Sequence, residues 1–317
     1  MQFKDVIGQH AAKERLIRSV ETGRVAQAML ILGKEGSGGL ALAMALGQFL
    51  NCESPQADDS CGVCNSCRKA SKVAHPDIHF TYPVIRKKSG EPPISDDWAA
   101  EWREAVLDNP YQNPYEWLQS IKAENKQGNI TVRECHQIIH KLNLKSFEGK
   151  YKVQIIWMPE YLGNEGNILL KIIEEPPENT VFLLVAENQD RILNTILSRT
   201  QVVQLPPIED EEIAKAVSER FEIPPKEAAH ISLVADGNFL SAIHLVRQDA
   251  NEHADLFHQW LKNCFNRAHK QKRSLASEML DLVNQFGGLG RENQKTFCRY
   301  GLFFLREVLA LKIMGSG

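Results

Sequence analysis

Four of the seven cysteines lie close together, Cys52, Cys61, Cys64 and Cys67, in the spacing C-x8-C-x2-C-x2-C. Thiolates at such intervals can close a tetrahedral shell around zinc, with bonds of about 2.3 Å, and four of them leave no open position for water or substrate. One structural zinc is therefore expected. The segment that carries the cysteines, residues 51–72, lacks a strong core periodicity of its own, and metal binding can supply the folding energy such a segment lacks. His75 lies nearby as a spare donor that the shell does not need, while Cys135, Cys264 and Cys298 are scattered and read as structural. An odd cysteine count with a tight cluster fits metal binding in a reducing compartment better than a disulfide framework.

A second constellation is the run Gly33-Lys34-Glu35-Gly36-Ser37-Gly38-Gly39-Leu40, between an apolar stretch, Met29 to Leu32, and an expected helix, Ala41 to Leu50. In a working phosphate loop, G-x4-G-K-[ST], backbone N–H groups wrap the phosphates, the lysine holds the outer ones and the hydroxyl holds magnesium. Here the last two places are Gly39 and Leu40, and Lys34 stands at the wrong point to substitute. Gly33, Gly36, Ser37 and Gly38 are left as a vestigial loop, able at most to hold a sulfate or phosphate weakly at the helix start. A third run, Lys152 to Glu160, ends a strand where an ATPase would present Asp and Glu to magnesium and water; those places are Trp157 and Met158. Glu160, two residues later, reads as a surface or helix-start acid. Losses at both halves of one metal–phosphate site predict that the chain binds no ATP.

The elements that must position these residues follow from the hydropathy pattern. Short β-rich runs at Met29 to Leu32, Val153 to Ile156, Val181 to Val185 and Val202 to Leu205 alternate with helical segments, which implies a parallel sheet flanked by helices. Thr131 and Glu134 are spaced as a capping box, and Pro176-Pro177 ends a helix whose apolar face includes Ile168, Leu169, Ile172 and Ile173. Residues 83–129 break the rhythm: the stretch is rich in Pro, Asp, Asn and Lys, yet it carries Trp98, Trp102 and Trp117. Large apolar side chains in that number imply an ordered, mostly helical insert packed on the first domain. From Pro206 onward strand signals vanish. Asp210 to Phe221, Lys226 to Ala235 and Phe239 to Arg247 read as three short helices, and longer helices continue to Met314 with a break at Gly287-Gly288-Leu289-Gly290.

Composition narrows the function. Lys and Arg number 37 against 40 Asp and Glu, so the formal net charge of −3 provides no global basic field for nucleic acid. No apolar run approaches the roughly 20 residues that span a bilayer, and the opening Met1-Gln2-Phe3-Lys4-Asp5 has no signal-peptide pattern. A cytoplasmic protein with no membrane partner is expected.

The order of these pieces resembles the delta-prime subunits of bacterial DNA polymerase III clamp loaders, members of the AAA+ superfamily, and more distantly their gamma/tau relatives. Phe3-Lys4-Asp5-Val6-Ile7-Gly8-Gln9 is similar to the family's opening. Leu169-Leu170-Lys171-Ile172-Ile173-Glu174-Glu175-Pro176-Pro177 is similar to its L-L-K-x-x-E-E-P-P run, and Ser198-Arg199-Thr200 to its S-R-C run, with Thr200 in place of cysteine. Ser241 falls where the lid of many relatives has a nucleotide-sensing arginine. The resemblance implies an AAA+ α/β domain over 1–206 with a zinc module (51–72) and the insert (83–129), a helical lid over 207–248 and a helical, collar-like region over 249–317. It further implies a five-membered ring with gamma/tau and delta-type subunits, in which Arg199, with Ser198, reaches the ATP site of a neighbour. In that setting the chain performs no chemistry alone, and takes part in placing a sliding clamp on primed DNA within an assembly that has DNA polymerase activity.

Two rival readings stand beside this one. A catalytic AAA+ ATPase of helicase-loader or motor type would need an unrecognised metal carboxylate such as Glu160. A zinc-dependent enzyme or nucleic-acid-binding module would need an open metal site or a basic surface, for which Arg68, Lys69 and Lys72 are the candidates.

Overall fold

The computed structural model describes residues 1–87, 90, 92–123, 126–247, 254–269, 275–289 and 291–314. Strands β1 (Ala28–Leu32), β2 (Ile78–Thr81), β3 (Lys152–Trp157), β4 (Thr180–Ala186) and β5 (Gln201–Gln204) form one parallel sheet in the order β2-β3-β4-β1-β5. The four expected runs all become strands. The fifth, β2, is a four-residue edge strand whose His79 and Thr81 hide it from a hydropathy reading. Successive side chains on a strand point to opposite faces, and a parallel sheet buries both. Met29, Ile31, Val153, Ile155, Leu183 and Val185 accordingly enter one core, whereas Leu30, Leu32, Ile156, Phe182 and Leu184 enter the other.

The helices of this part are α1 (His10–Glu21), α2 (Gly39–Leu50), α3 (Asn65–Ser71), α4 (Ala99–Asp108), α5 (Pro114–Ser120), α6 (Val132–Asn143), α7 (Leu170–Glu174) and α8 (Asn194–Leu197). Helices α1 and α2 serve the first core; α6, α7 and α8 serve the second. Every residue of α2 from Leu40 to Leu50 is buried, the pattern of a helix covered on all sides.

The insert adds its aromatic side chains to the first core. Trp98, Trp102 and Trp117 are buried. Trp102 stacks on Tyr82 at 3.9 Å and meets Trp117 edge-on at 5.0 Å, and its ring lies 5.2 Å from that of Trp157 at the end of β3. The indole N–H groups of Trp98 and Trp117 donate to the carbonyls of Ile85 and Pro83 at 2.9 and 2.7 Å, which satisfies polar atoms that burial would otherwise leave costly.

The expected capping box is only half formed. Thr131 Oγ1 accepts from the Glu134 N–H at 3.4 Å, but the Glu134 carboxylate turns inward, accepting from the Ser95 N–H at 2.6 Å and from Thr81 Oγ1 at 2.9 Å. A buried backbone donor in the insert outcompetes the half-exposed helix start, since leaving Ser95 unpaired would cost more. Burial pushes the Glu134 carboxyl above the usual carboxylate range.

Beyond Pro206 the chain is helical: α9 (Asp210–Phe221), α10 (Pro225–Ala235), α11 (Phe239–Arg247), α12 (Ala254–His269), α13 (Leu275–Gly288) and α14 (Arg291–Met314). The α9–α11 unit joins the first core through Ile213, Val217, Ala228, Ile231, Phe239 and Ile243. Phe257 of α12 meets Phe297, Tyr300 and Phe304 of α14 at 5.6–5.7 Å. The expected boundary at 248/249, Gly290 of the glycine break and the final Gly315-Ser316-Gly317 lie outside the described residues. Among the described residues no helix is long and apolar enough to cross a membrane.

Because Trp102 joins insert, β2 and β3 in one aromatic cluster, Trp102→Ala is expected to lower stability by about 3–5 kcal/mol. Chemical denaturation measures this; a loss below about 1 kcal/mol would show that the insert packs on the sheet without supporting it.

Candidate functional site

The four cysteines of the tight spacing come together. The Sγ atoms of Cys52, Cys61, Cys64 and Cys67 all lie within 4.8 Å of one another, with Cys61 and Cys67 at 3.9 Å. Sulfurs around a tetrahedral zinc would be about 3.8 Å apart, from bonds of about 2.3 Å, so the donor set fits a thiophilic metal ion. The loop is built to hold thiolates: the N–H groups of Cys61, Cys64 and Cys67 donate to the sulfurs of Cys52, Cys61 and Cys64 at 3.2, 3.4 and 3.4 Å. The last of these also caps α3. Backbone donors bring the Cys61 thiol down to about 6, while burial pushes Cys52 and Cys67 up. Four sulfurs so placed need a cation to be ionised together.

His75 is no ligand. Its Nδ1 accepts from the Asp77 N–H at 3.1 Å and its Nε2 lies 3.8 Å from Glu148. Of the cysteines read as structural, Cys135 is buried in the second core, whereas Cys298 is exposed.

The metal-site loop also anchors the start of the chain. The Asp59 carboxylate accepts from the N–H groups of Phe3 and Lys4, both at 3.0 Å, and Gln48 of α2 donates to Ser60 Oγ at 2.9 Å. Phe3 is thereby held edge-on against Phe49 at 5.6 Å.

The phosphate-loop run lies where open parallel sheets bind ligands, at the carboxyl ends of the strands. It encloses a cavity with only about 30 Å³ open to the centre of a water-sized sphere, lined by the loop and by Pro110, Tyr111, Gln112, Trp157, Met158 and Val185. That is room for a water or two. Gly36 and Gly38 have positive φ, +73° and +88°; a Cβ on Gly36 would lie 1.8 Å from Asn238 Oδ1, and one on Gly38 2.8 Å from the Tyr111 ring. The two glycines thus admit protein from both sides. Tyr111, 4% exposed, packs on Phe239 at 4.9 Å, and its hydroxyl oxygen accepts from the Ile7 N–H at 2.9 Å. Burial pushes this phenol up to about 12, so it stays neutral.

The remaining motif residues meet across the fold. Gln9 of the opening run donates to the carbonyls of Ser37 and Pro206 at 3.1 and 2.8 Å, tying the loop to the chain beyond β5. Ser241 donates its backbone N–H to Asn238 Oδ1 at 3.1 Å as α11 begins. Glu160 is not the surface acid that its sequence position suggests, although it does lie in a short 3₁₀ turn, Pro159–Tyr161. It is 6% exposed, and its Oε1 accepts from the N–H groups of Glu187 and Asn188 at 2.7 and 2.9 Å. The turn after β4 needs a buried acceptor, and burial pushes this carboxyl up.

Arg199 follows α8 and precedes β5. Its Nε donates to Glu174 at 2.9 Å and its Nη1 to the Thr195 carbonyl at 3.0 Å, while Ser198 Oγ lies 3.4 Å from Nη1. The E-E-P-P and S-R runs, 25 residues apart, are thus joined by an exposed ion pair. Tyr111 and Asn238 are the site residues that sequence reasoning missed. The signal available for Tyr111 was a large aromatic within Asn109-Pro110-Tyr111-Gln112-Asn113-Pro114, a turn-forming stretch in which a ring needs a buried seat.

A five-stranded parallel sheet in this order, with a phosphate-loop turn after β1 and helical units following β5, makes the chain an α/β protein of the AAA+ class with a four-cysteine cluster added. The sequence profile of the family described as DNA polymerase III, delta subunit, matches residues 8–209, and the chain belongs to that family of clamp-loader subunits. DNA polymerase III subunit gamma of Buchnera aphidicola subsp. Acyrthosiphon pisum is 28% identical over 254 residues, covering 78% of this chain and 59% of that protein. Subunit delta' of Escherichia coli K12 is 30% identical over 197 residues, covering 61% and 46%, and subunit delta' of Bacillus subtilis 168 is 25% identical over 234 residues, covering 74% and 58%. The chain thus spans about half the length of these curated relatives. A solved gamma subunit-related protein of Thermotoga maritima is 18% identical with a TM-score of 0.41, covering 78% of this chain and 62% of its own; at that score it adds nothing to the assignment.

Protein purified without chelator should carry one thiophilic metal ion per chain, as measured by elemental mass spectrometry. Cys64→Ser keeps an oxygen that can cap α3 but removes one thiolate, and is expected to lower affinity by at least about tenfold. Metal content near zero in the wild type, or unchanged retention against a chelator in Cys64→Ser, rules the site out.

Proposed function

We propose that this chain is a delta-prime-type clamp-loader subunit that helps to place a sliding clamp on primed DNA, binds no ATP of its own and presents Arg199 to the ATP site of a neighbouring subunit. The observation that carries this reading is the state of the phosphate-loop site. Gly39 and Leu40 stand where lysine and a hydroxyl would bind, Trp157 and Met158 where the magnesium carboxylates would be, and Tyr111 fills the space over Gly38. A triphosphate would have to displace buried aromatic packing and would find neither cation nor metal ligand. The four-cysteine cluster is read as a structural zinc site, since a closed thiolate shell exposes nothing to react. The α9–α11 unit serves as the lid, α12–α14 as the collar-like region, and partners are gamma/tau and delta-type subunits in the cytoplasm.

The trans role of Arg199 draws on its setting. Its ion pair with Glu174 is solvent-exposed, and such pairs contribute only about 0–1 kcal/mol. The guanidinium is therefore held just before the start of β5 yet free to exchange one carboxylate for a phosphate, with the planar donors that phosphate binding requires. The rival readings lose support. Glu160 spends Oε1 on two backbone N–H groups within the fold, and Lys69 of the basic patch is paired with Glu148.

Two measurements test this function. Titration calorimetry of the full chain with Mg-ATP is expected to be flat, and micromolar binding would overturn the nucleotide-free reading. In a loader reconstituted with its partner subunits, Arg199→Ala is expected to leave assembly intact while reducing DNA-stimulated ATP turnover. An arginine supplied across an interface is worth roughly 10³–10⁵-fold at one site in GTPases, but a ring with several ATP sites would lose only part of its total rate. Unchanged turnover and clamp loading, with the variant verified in the complex, would mean that Arg199 is only a surface arginine.

A further inference from the structure

The insert touches both the phosphate loop and the lid. Its turn between α4 and α5 places Tyr111 against Gly38 on one side and Phe239 of α11 on the other. Asn113, which caps α5, donates to Glu35 of the loop at 3.2 Å. On the lid side, Arg220 of α9 donates to the Asp108 carbonyl at 3.0 Å, Arg247 of α11 pairs with Asp108 at 3.4 Å, and His244 of α11 pairs with Glu116 of α5. The lid itself reaches the loop, where the Phe239 N–H donates to the Gly36 carbonyl at 3.2 Å. A ligand bound over a phosphate loop and beneath a lid would contact these same two surfaces.

We propose that the 108–116 stretch of the insert is an internal occupant of the phosphate-loop site, holding the α9–α11 unit at a fixed angle to the sheet in place of a bound ligand. The proposal rests on the reading that the chain binds no ATP. Its physical basis is preorganisation: a covalently attached occupant pays no translational entropy and never dissociates, so the two units it bridges keep one relative orientation at all ligand concentrations. The exposed ion pairs add little individually. The buried wedge of Tyr111 between Gly38 and Phe239 carries most of the effect, and the surface pairs set its register.

Hydrogen exchange on the full chain, read by mass spectrometry, separates this from a merely decorative insert. In Tyr111→Ala the amides of α10 and α11 are expected to exchange about tenfold faster, while those of β1, β3 and β4 keep the wild-type rate, because local opening of the lid precedes global unfolding. A second variant, Arg220→Ala with Glu116→Ala, alters only partly or fully exposed side chains, so it remains informative should Tyr111→Ala not fold. It is expected to accelerate the same lid amides by about two- to threefold. Lid rates equal to wild type in the folded variants, or equal acceleration of sheet and lid, overturn the proposal. Calorimetry on the same samples keeps the two ideas apart: unchanged lid rates with a flat Mg-ATP titration remove the internal occupant alone, whereas Mg-ATP binding by the wild type removes the nucleotide-free reading and the occupant with it.

Discussion

The contact between Trp102 and Trp157 sets the terms for most of this structure. Trp157 ends β3 at the edge of the phosphate-loop cavity, and the insert places Trp102 against it, with Tyr82 and Trp117 completing the cluster. An indole at the end of β3 cannot ligate magnesium, but it offers a large apolar face. The indole at the strand end is therefore a seat against which the insert packs. The turn of the insert reaches Gly38, where the neutral phenol of Tyr111 packs against the loop.

The four-cysteine loop plays a separate part, on the far end of α2 from the phosphate loop. Its Asp59 and Ser60 tie the first residues of the chain to Gln48. Through Asp59 the loop is joined to the backbone of Phe3 and Lys4.

Arg199 represents the opposite design. Tyr111 and Trp157 beside the phosphate loop are buried, whereas the guanidinium is held by one exposed carboxylate and one carbonyl. Screened by solvent, that pair costs little to break.

The sequence by itself determined most of the sheet, because β1, β3 and β4 are buried on both faces and require near-continuous apolar runs, while β5 shows itself through Val202 and Val203 although it is an edge strand. It also determined the four-cysteine cluster, since ligand spacing of two residues is local geometry, and the absence of the phosphate-loop lysine and hydroxyl, since those are a matter of residue identity. Three things were left to the tertiary structure. Strand β2 is too short and too polar at His79 and Thr81 to be read without its neighbour β3. Glu134 and Glu160 look like surface acids at helix starts, and become buried acceptors only because backbone N–H groups distant in sequence need partners. The position of Tyr111 over Gly38 and against Phe239 joins residues 73 and 128 apart in the chain. No local propensity encodes such a contact; it exists because burying that ring between loop and lid removes more apolar surface from water than leaving it on the outside of the insert.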